Sequence, residues 1–301
     1  MNEKLKAFYA GKRVLVTGGA GFIGSHIVEA LVALDARVTV LDNFSTGNIN
    51  NLRNIFPHIT IHYTDITSAY STLKATENKD LVFHLAACIS VPLSVQNPDY
   101  CKKVNVDGTK NILAGCANAG VSHLIFSSSS AVYGNTNTIC SEETDLKPTS
   151  PYATSKMIGE QLCREYSAAT NLATTSLRYF NVYGDRQSPT SEYAGVVARF
   201  KNALLNEQPI TIFGDGTQTR DFIEVSEVVR ANLTLGCNTE NKGDVYNIAS
   251  GKSISLLQLI EKLKGELNTN NAKTHFMPER EGDIKHSAAH CYKYQELLST
   301  M

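Results

Sequence analysis

The sequence has no excess of either charge, and its cysteines lack the spacing of a zinc site or a disulfide framework. Its 301 residues carry 28 Lys and Arg against 29 Asp and Glu, so a basic surface for nucleic acid is not expected. The seven cysteines include no CxxC pair, and several lie in apolar runs, which indicates reduced thiols in a reducing cytosol. We therefore predict no nucleic-acid partner and no bound metal.

Long hydrophobic runs and targeting signals are also lacking. No apolar run reaches the roughly 18 residues that a membrane span needs. The N-terminal segment MNEKLKAFYAGKR contains neither an apolar signal core nor an amphipathic transit pattern. Because 42% of the residues are hydrophobic and 19% are charged, a soluble globular protein is expected. We predict a cytoplasmic protein without a membrane partner.

The sequence does contain a regular alternation of short β-branched runs and longer segments of helical period. This pattern predicts strands at 13–17, 37–41, 60–63, 81–84, 123–128, 173–178 and 244–248, and helices at 23–34, 104–119, 152–170 and 194–205. Strands joined by helical crossovers predict an α/β fold with a doubly wound parallel Rossmann sheet. This regular alternation of strand and helix patterns ends after Arg178. We therefore divide the chain into residues 1–178, which also receive a late segment around 222–249, and a smaller C-terminal α/β lobe at 179–301.

A glycine-rich turn lies between the first strand and the first long helix. The segment GGAGFIG, residues 18–24, satisfies GxGxxG and GxxGxxG, a spacing that brings backbone close to a pyrophosphate at a helix N-terminus. Asp42 ends the second strand about 18 residues after Gly24, where a carboxylate is expected to bind the adenosine ribose. Since Asp42 would repel a 2′-phosphate and neither Asn43 nor Phe44 supplies a cation, we predict NAD rather than NADP. The alternative is a tight turn with a structural role alone.

Asp65 and Ile66, which follow the third predicted strand, have two interpretations. In the first, Asp65 holds the adenine edge of the dinucleotide. In the second, Asp65 is the N-cap of the next helix and its role is structural. The sequence leaves both open.

Tyr152 and Lys156 are spaced i, i+4 in a segment of helical period, so both project from one face. A tyrosine with a pKa of about 10 is a poor base at neutral pH, but a nearby ammonium and an oxidised nicotinamide both favour the phenolate. The segment FSSSSAVYG, residues 126–134, ends the fifth predicted strand, where a serine can share a proton with Tyr152 and a substrate oxygen. The alternatives are a half-buried tyrosine beside a solvated lysine, and serines that only form a turn.

Three further segments belong with these motifs: HLAA at 84–87, YATSK at 152–156 and RYFNVYG at 178–184. Together they resemble the motifs of the extended short-chain dehydrogenase/reductase superfamily. From about Lys12 to the C-terminus the sequence is similar to the UDP-hexose 4-epimerases. The resemblance implies an NAD-dependent enzyme whose catalytic residues are Ser129, Tyr152 and Lys156. It implies that Tyr152 removes the 4-hydroxyl proton while hydride passes to NAD. The 4-keto sugar then turns over and receives hydride on its other face.

The resemblance also implies how the cofactor is held. NAD is regenerated in each cycle and need not leave. Relatives are commonly homodimers joined through a pair of helices, and the candidates in this chain are the helices predicted at 104–119 and 152–170. The residues implied to bind NAD are Gly18, Gly21, Phe22, Ile23, Gly24, Asp42, Asn43, Asp65, Ile66, Leu85, Ala86, Ala87, Asn105, Ser127, Tyr152, Lys156 and Tyr179.

Other reactions of the superfamily need carboxylates that this sequence lacks. Nucleotide-sugar 4,6-dehydratases place Asp and Glu three and two residues before the tyrosine of the VYG motif, where this chain has Ser130 and Ala131. UDP-glucuronate decarboxylases carry Glu at the Ala131 position. Epimerisation needs neither carboxylate. The open alternatives are a UDP-glucuronate or UDP-N-acetylglucosaminuronate 4-epimerase, another nucleotide-sugar dehydratase, decarboxylase or reductase, and an NAD-sensing scaffold. Such scaffolds generally lose the YxxxK pair.

Later segments match the sugar-nucleotide pocket of the family. In addition to Ser129, the resemblance implies that the substrate is bound by Asn181, Arg220 and Arg280 at the diphosphate, by Thr211 and Phe213 around the uracil, and by Asp283 at the uridine ribose. Arginine suits a diphosphate because its planar fork donates two hydrogen bonds. Taken singly, each arginine is more typical of a surface salt bridge.

Ser287 falls where the family has a size gate beside the 2-substituent of the hexose. A small residue there leaves room for an N-acetyl group. We therefore expect the branch that accepts N-acetylhexosamines, with UDP-GlcNAc/UDP-GalNAc or UDP-Glc/UDP-Gal as substrates. The alternative is a small residue in a surface turn.

Overall fold

The computed structural model describes residues 3–136, 138–188, 195–240, 242–269, 272–279 and 285–300. Its helices and strands, in chain order, are α1 (Glu3–Tyr9), β1 (Arg13–Thr17), α2 (Phe22–Ala33), β2 (Arg37–Asp42), β3 (Ile59–Tyr63), α3 (Ala69–Thr76), β4 (Leu81–His84), α4 (Val91–Gln96), α5 (Pro98–Lys102), α6 (Gly108–Ala119), β5 (His123–Ser129), α7 (Pro151–Ala169), β6 (Ala173–Tyr179), β7 (Asn181–Tyr183), α8 (Val196–Leu205), β8 (Ile210–Phe213), β9 (Thr219–Glu224), α9 (Val225–Gly236), β10 (Lys242–Ile248), β11 (Ser253–Ser255), α10 (Leu256–Leu267), β12 (Thr274–Met277) and α11 (Tyr292–Thr300).

The central sheet has seven parallel strands in the order β10-β6-β5-β4-β1-β2-β3. Strands such as β4 and β6 are buried along their whole length, because helices cover both faces of the sheet. The strand order reverses between β1 and β4, which pair in register with Thr17 opposite His84. Ligands of such sheets bind beyond the carboxyl ends of the strands at this switch point. The predicted doubly wound α/β fold is confirmed.

The predicted elements agree with this structure except in one helix. All seven predicted strands occur within one or two residues of their expected ends, and β10 joins the sheet beside β6. The helix expected at 104–119 instead begins as a π-helical turn, Lys103–Asp107, before α6. At Gly108 a Cβ would lie 2.6 Å from the side chain of Ile66, so glycine lets the helix pack closely there. The helix expected at 194–205 begins at Val196, and residue 194 lies outside the described residues.

Residues after β6 form two small sheets beside the large one. One has the order β11-β9-β7 and the other pairs β12 with β8. Helices α8 and α10 pack on them through a separate apolar cluster that includes Phe200, Ile212, Leu259 and Leu263. The division of the chain at residue 178 stays a prediction.

Two further features concern the surroundings of the protein. All seven cysteines are free thiols, and six of them are buried. Within the described ranges, no helix combines the length and the apolar character that crossing a membrane requires.

Candidate active site

The glycine turn after β1 is shaped by close backbone contacts. Gly18 has φ +68°, and its N–H donates to the carbonyl of Leu41 at 2.8 Å. A Cβ on Gly18 would lie 2.7 Å from the backbone nitrogen of Ala86, and a Cβ on Gly24 would lie 2.1 Å from the carbonyl oxygen of Gly18. Side chains at these positions would displace the backbone. The turn therefore leaves the N-terminus of α2 open to an anion.

A cavity of about 1540 Å³ runs along the carboxyl ends of the strands, and the glycine turn forms part of its wall. Single small-molecule sites have roughly 300–1,000 Å³, so this cavity has room for a dinucleotide and a second ligand. Every residue expected to bind NAD lines it except Asn105. The turn is thus part of a binding cavity as well as a connection between β1 and α2.

Asp42 presents a fixed carboxylate at one end of the cavity. It is only 6% exposed, and it accepts hydrogen bonds from the backbone N–H groups of Ala20 at 2.9 Å and Phe44 at 2.8 Å. Burial raises the pKa of Asp42, and these two hydrogen bonds oppose the rise. Since a carboxylate has about four acceptor positions, Asp42 keeps capacity for a ribose hydroxyl.

The structure excludes one of the two interpretations of Asp65, and its adenine-binding role stays a prediction. The cap of α3 is Ser68, so the interpretation of Asp65 as the N-cap is wrong. Asp65 accepts hydrogen bonds from the side chain of Asn43 at 2.7 Å and the backbone of Thr67 at 2.8 Å, and it lines the cavity with Ile66. Burial acts to raise the pKa of Asp65, but these hydrogen bonds hold it below its usual value.

Asn105 lies behind the cavity wall. It is 3% exposed and belongs to the π-helical turn. Its side chain accepts from the backbone N–H of Cys88 at 2.7 Å and donates to the Cys88 carbonyl at 3.0 Å and the Ser155 hydroxyl at 2.9 Å. Asn105 therefore fixes the segment after β4 against α7 and does not itself line the cavity.

Tyr152 and Lys156 lie on the first turns of α7, which faces the cavity. The backbone N–H of Tyr152 donates to the Ser94 hydroxyl at 3.1 Å, which joins the start of α7 to α4. Lys156 is only 4% exposed; its ammonium donates to the Ser127 carbonyl at 2.7 Å and lies 6.0 Å from the centroid of the Tyr152 ring. The alternative of a solvated lysine is therefore wrong.

Burial controls the proton affinities of this pair. It raises the pKa of Tyr152, and a hydrogen bond with Ser129 acts in the opposite direction. It also lowers the pKa of Lys156 to about 8. The expected lowering of the Tyr152 pKa does not occur in the protein by itself, because loss of hydration outweighs the other influences on the phenol. Ser129, rather than Lys156, is the group that opposes the rise in the Tyr152 pKa.

The serine run belongs to a strand. β5 continues through Ser127, Ser128 and Ser129, so the alternative of turn-forming serines holds only for Ser130, which begins a 3₁₀ turn. The Ser129 hydroxyl caps this turn by accepting from the N–H of Ala131 at 3.2 Å. Strand β5 therefore brings Ser129 to the carboxyl edge of the sheet, where it acts to lower the pKa of Tyr152.

A buried polar network lies behind the catalytic face. The Ser128 hydroxyl donates to Glu160 at 2.5 Å, and Arg178 forms two parallel hydrogen bonds with the same carboxylate, at 2.9 and 2.7 Å. Arg178 also donates to the Tyr133 hydroxyl at 2.8 Å, which donates to the side chain of Asn247 at 2.6 Å. The network joins α7 to β5, β6 and β10. The sequence analysis missed it, although Glu160 follows Lys156 at i+4 on the same helix face.

Uncharged residues stand at the two positions where dehydratases carry carboxylates. Ser130 and Ala131 begin the 3₁₀ turn. Two carboxylates of neighbouring segments are engaged elsewhere: Glu160 pairs with Arg178, and Glu142 accepts from the backbone N–H of Asn247 at 2.8 Å. Neither replaces the missing acid or base.

Three of the residues expected to bind substrate converge on β9. Asn181 donates to the carbonyl of Asp221 at 2.9 Å, and Arg220, itself on β9, donates to the Thr219 carbonyl at 2.9 Å. The backbone N–H of Ser287 donates to the same Thr219 carbonyl at 3.1 Å. Ser287 is half-buried in a segment that bridges to β9, so its interpretation as part of a surface turn is wrong.

The other expected substrate residues are less closely grouped. Thr211 and Phe213 lie on β8, in the two-stranded sheet with β12. Arg280 and Asp283 lie outside the described residues. The structure adds Arg186, Gln187 and Ser188 to the cavity wall, and no motif in the sequence singled them out.

Lys156 makes the stability of the NAD-free protein depend on alkaline pH. A lysine with a pKa near 8 when folded and near 10.4 when unfolded favours folding as pH rises between these values, because the unfolded chain then binds more protons. Relative to Lys156→Met, the free energy of unfolding of the wild type should increase by about 3 kcal/mol between pH 8 and 10.5. Denaturant unfolding of both proteins across this range measures the difference. A difference that stays constant would contradict the burial of a charged Lys156.

Comparison with known proteins agrees with this geometry. Residues 14–249 match the NAD dependent epimerase/dehydratase family. The UDP-glucose 4-epimerase of Mycolicibacterium smegmatis is 37% identical over 291 residues, which cover 95% of this chain and 92% of the relative.

Solved structures give the same result. A UDP-N-acetylglucosamine 4-epimerase from Methanobrevibacter ruminantium, in complex with UDP-N-acetylmuramic acid, has a TM-score of 0.91 at 41% identity, over 96% of this chain and 92% of that one. The NAD complex of the UDP-glucose 4-epimerase of Thermus thermophilus has a TM-score of 0.86 at 34% identity, over 94% and 92%. The chain therefore belongs to the NAD-dependent epimerase/dehydratase family.

Proposed function

We propose that this protein is an NAD-dependent 4-epimerase of UDP-sugars that works through a transient 4-keto intermediate. The observation that carries the proposal is a set of groups together with an absence: Tyr152 and Lys156 line the cofactor cavity, Ser129 acts on the pKa of Tyr152, and Ser130 and Ala131 stand at the positions of the missing carboxylates. This set of groups can move a proton at a hydroxyl. It lacks the acid and base that elimination of water requires.

The cavity fits NAD at each of its parts. The backbone conformation at Gly18 and Gly24, which a Cβ would disrupt, leaves the N-terminus of α2 free to receive a pyrophosphate, and Asp42 lines the cavity where we place the adenosine ribose. Lys156 and Tyr152 lie at the other end, where the nicotinamide ribose is expected. Bound NAD supplies a hydride acceptor that returns the hydride within the same cycle. We assign residues 1–178, with the segment around 222–249, to NAD and residues 179–301 mainly to the sugar nucleotide.

The side chains of the protein then transfer one proton. With NAD bound as the hydride acceptor, Tyr152 would take the proton of the 4-hydroxyl and would return it to the same oxygen before the product leaves. Ser129 hydrogen-bonds with Tyr152 and lowers the cost of its anion. Lys156 holds its ammonium against the Ser127 carbonyl, 6.0 Å from the Tyr152 ring, where it would bind the nicotinamide ribose. Proton and hydride both return to the sugar, so the cycle leaves no net oxidation.

Two rival functions differ from this one in a measurable way. A reductase or dehydrogenase exchanges its cofactor and forms net NADH or NAD, whereas the proposed cycle forms neither. An NAD-sensing scaffold binds the cofactor without turnover, and it has no need for the Tyr152, Lys156 and Ser129 set.

The purified enzyme should convert at least one UDP-sugar of a panel into its 4-epimer, without net NADH, when the products are followed by NMR. The panel contains UDP-GlcNAc, UDP-glucose, UDP-glucuronate and UDP-N-acetylglucosaminuronate. Tyr152→Phe should lower the rate by about 100-fold or more, because a positioned acid and base contribute that much. The variant should keep its NAD, measured after denaturation. A dehydrated or decarboxylated product would contradict the proposal, and loss of NAD with activity would contradict the role of Tyr152.

We further propose that the substrate carries an N-acetyl group at C2. Support comes from the small side chain of Ser287, which lies half-buried beside Thr219 on the strand that also bears Arg220. A diphosphate held near Arg220 would bring the rest of the substrate close to this segment. A related structure with 41% identity is that of a UDP-N-acetylglucosamine 4-epimerase.

Ser287→Tyr should reverse this preference. A tyrosine ring in the space of the N-acetyl group should lower kcat/KM for UDP-GlcNAc relative to UDP-glucose by about five-fold or more, since overpacking costs at least about 1 kcal/mol. Steady-state kinetics with both substrates measure the ratio. Ser287→Ala is the matched control and should keep the wild-type ratio. An unchanged ratio in the tyrosine variant would sink the hypothesis.

We also propose a homodimer in a reducing cytoplasm, which suits seven free thiols. Beside α7, α4 and α5 leave Val91, Val95 and Tyr100 exposed by 42%, 62% and 39%, an apolar surface that a second copy would cover. Sedimentation equilibrium should give twice the chain mass of 32.9 kDa. Val95→Glu should shift the protein toward single chains, and Leu205→Glu on α8 should not. A wild-type mass of one chain would refute the dimer.

A further inference from the structure

A short segment after β7 lies across the beginning of α2. We call residues 185–187 the strap. His26 on α2 donates to the carbonyl of Asp185 at 2.9 Å, and Arg186 forms an ion pair with Glu29 one turn further along the same helix. Arg186 has φ +67°, a left-handed conformation that non-glycine residues seldom adopt and that the surrounding contacts must hold. Two contacts therefore fasten the strap to the helix that follows the glycine turn.

The guanidinium of Arg186 has donors that the described residues do not use. Its side chain is 23% exposed and lines the cavity together with Gly21 and Phe22. One terminal nitrogen pairs with Glu29, while the other, Nη1, is buried and has no hydrogen-bond partner within the described ranges. A buried donor without an acceptor is costly, and the cost is greater for a charged group. The position favours an anionic ligand in the cavity.

The location of Arg186 indicates which anion this is. Its partner Glu29 is on α2, and its neighbours in the cavity wall include Gly21, the N-cap of that helix. The N-terminus of α2 and the glycine turn are the features that receive a pyrophosphate. A guanidinium on the opposite side would complete the site with hydrogen bonds from a planar fork. The diphosphate of the sugar nucleotide belongs instead with Arg220, on β9.

We propose that Arg186 is a further cofactor-binding residue, which closes over the NAD pyrophosphate, and that the strap must lift from α2 before NAD can leave. Glu29 and His26 then act as positioning residues that hold the strap closed. This arrangement retains the cofactor, which suits an enzyme that regenerates NAD in every cycle. The inference rests on NAD binding and not on which sugar is turned over.

The test compares rates of NAD release. Wild type, Arg186→Gln, Arg186→Lys and Glu29→Gln are loaded with radiolabelled NAD, and loss of the label is followed after addition of excess unlabelled NAD. Arg186→Gln should release NAD about ten-fold faster or more, as expected for the loss of a charge-assisted hydrogen bond. Arg186→Lys and Glu29→Gln should show smaller increases, because they retain a cation at or near the site. Arg230→Gln is the matched control, since it removes an exposed arginine paired with Glu227, and its release rate should equal that of the wild type.

Two further measurements make the outcome decisive. Thermal unfolding without NAD shows whether each variant is folded, and a folded Arg186→Gln should gain less stability from added NAD than the wild type. Calorimetric titration with UDP shows whether the variant still binds the nucleotide. Unchanged NAD release from Arg186→Gln overturns the proposal, whether or not UDP binding is weakened. If no UDP-sugar is epimerised, the proposed function fails while the release rates still decide the role of Arg186.

Discussion

The buried ion pair between Glu160 and Arg178 is the contact on which the catalytic face depends. Glu160 is fully buried on α7, two turns after Tyr152, and Arg178 is 2% exposed at the end of β6. Breaking such a pair from one side costs about 3–5 kcal/mol, because an unpaired charge stays buried. Through Ser128, the pair also ties α7 to the strand that carries Ser129. The network therefore fixes the helix that carries Tyr152 relative to the strand that carries Ser129.

The charges of the cavity are arranged in an order that suits a dinucleotide. Among the residues that line it, the carboxylates are Asp42 and Asp65, at the adenosine end, and the cations are Lys156 and Arg186. The carboxylates accept backbone and amide hydrogen bonds, so they stay fixed for neutral ribose and adenine groups. The cations are the groups that we propose for the pyrophosphate and the nicotinamide ribose. The carboxylates lie at the end of β2 and just after β3, whereas Lys156 lies on α7 and Arg186 follows β7, so the two signs stand on different elements of the cavity wall.

Much of the fold and part of the site could be predicted because the responsible interactions are local. Central strands such as β4 and β6 are short runs buried on both faces, and the spacing of Tyr152 and Lys156 follows from one helical turn. The glycine turn was predictable because its glycines follow a strand and open a helix. Asp65 shows the limit: two interpretations were equally consistent with the sequence, and only the capping of α3 by Ser68 excludes the N-cap interpretation.

The sequence by itself determined the fold class, the order of the strands along the chain, the cofactor turn and the catalytic helix. Only the tertiary structure decided the environment of these groups. The pKa of Lys156 falls to about 8 because other segments exclude water from it, and no local pattern encodes that burial. Arg186 meets Glu29 across 157 residues of sequence. Contacts of this kind depend on how distant elements pack, and hydrophobic periodicity carries no information about them.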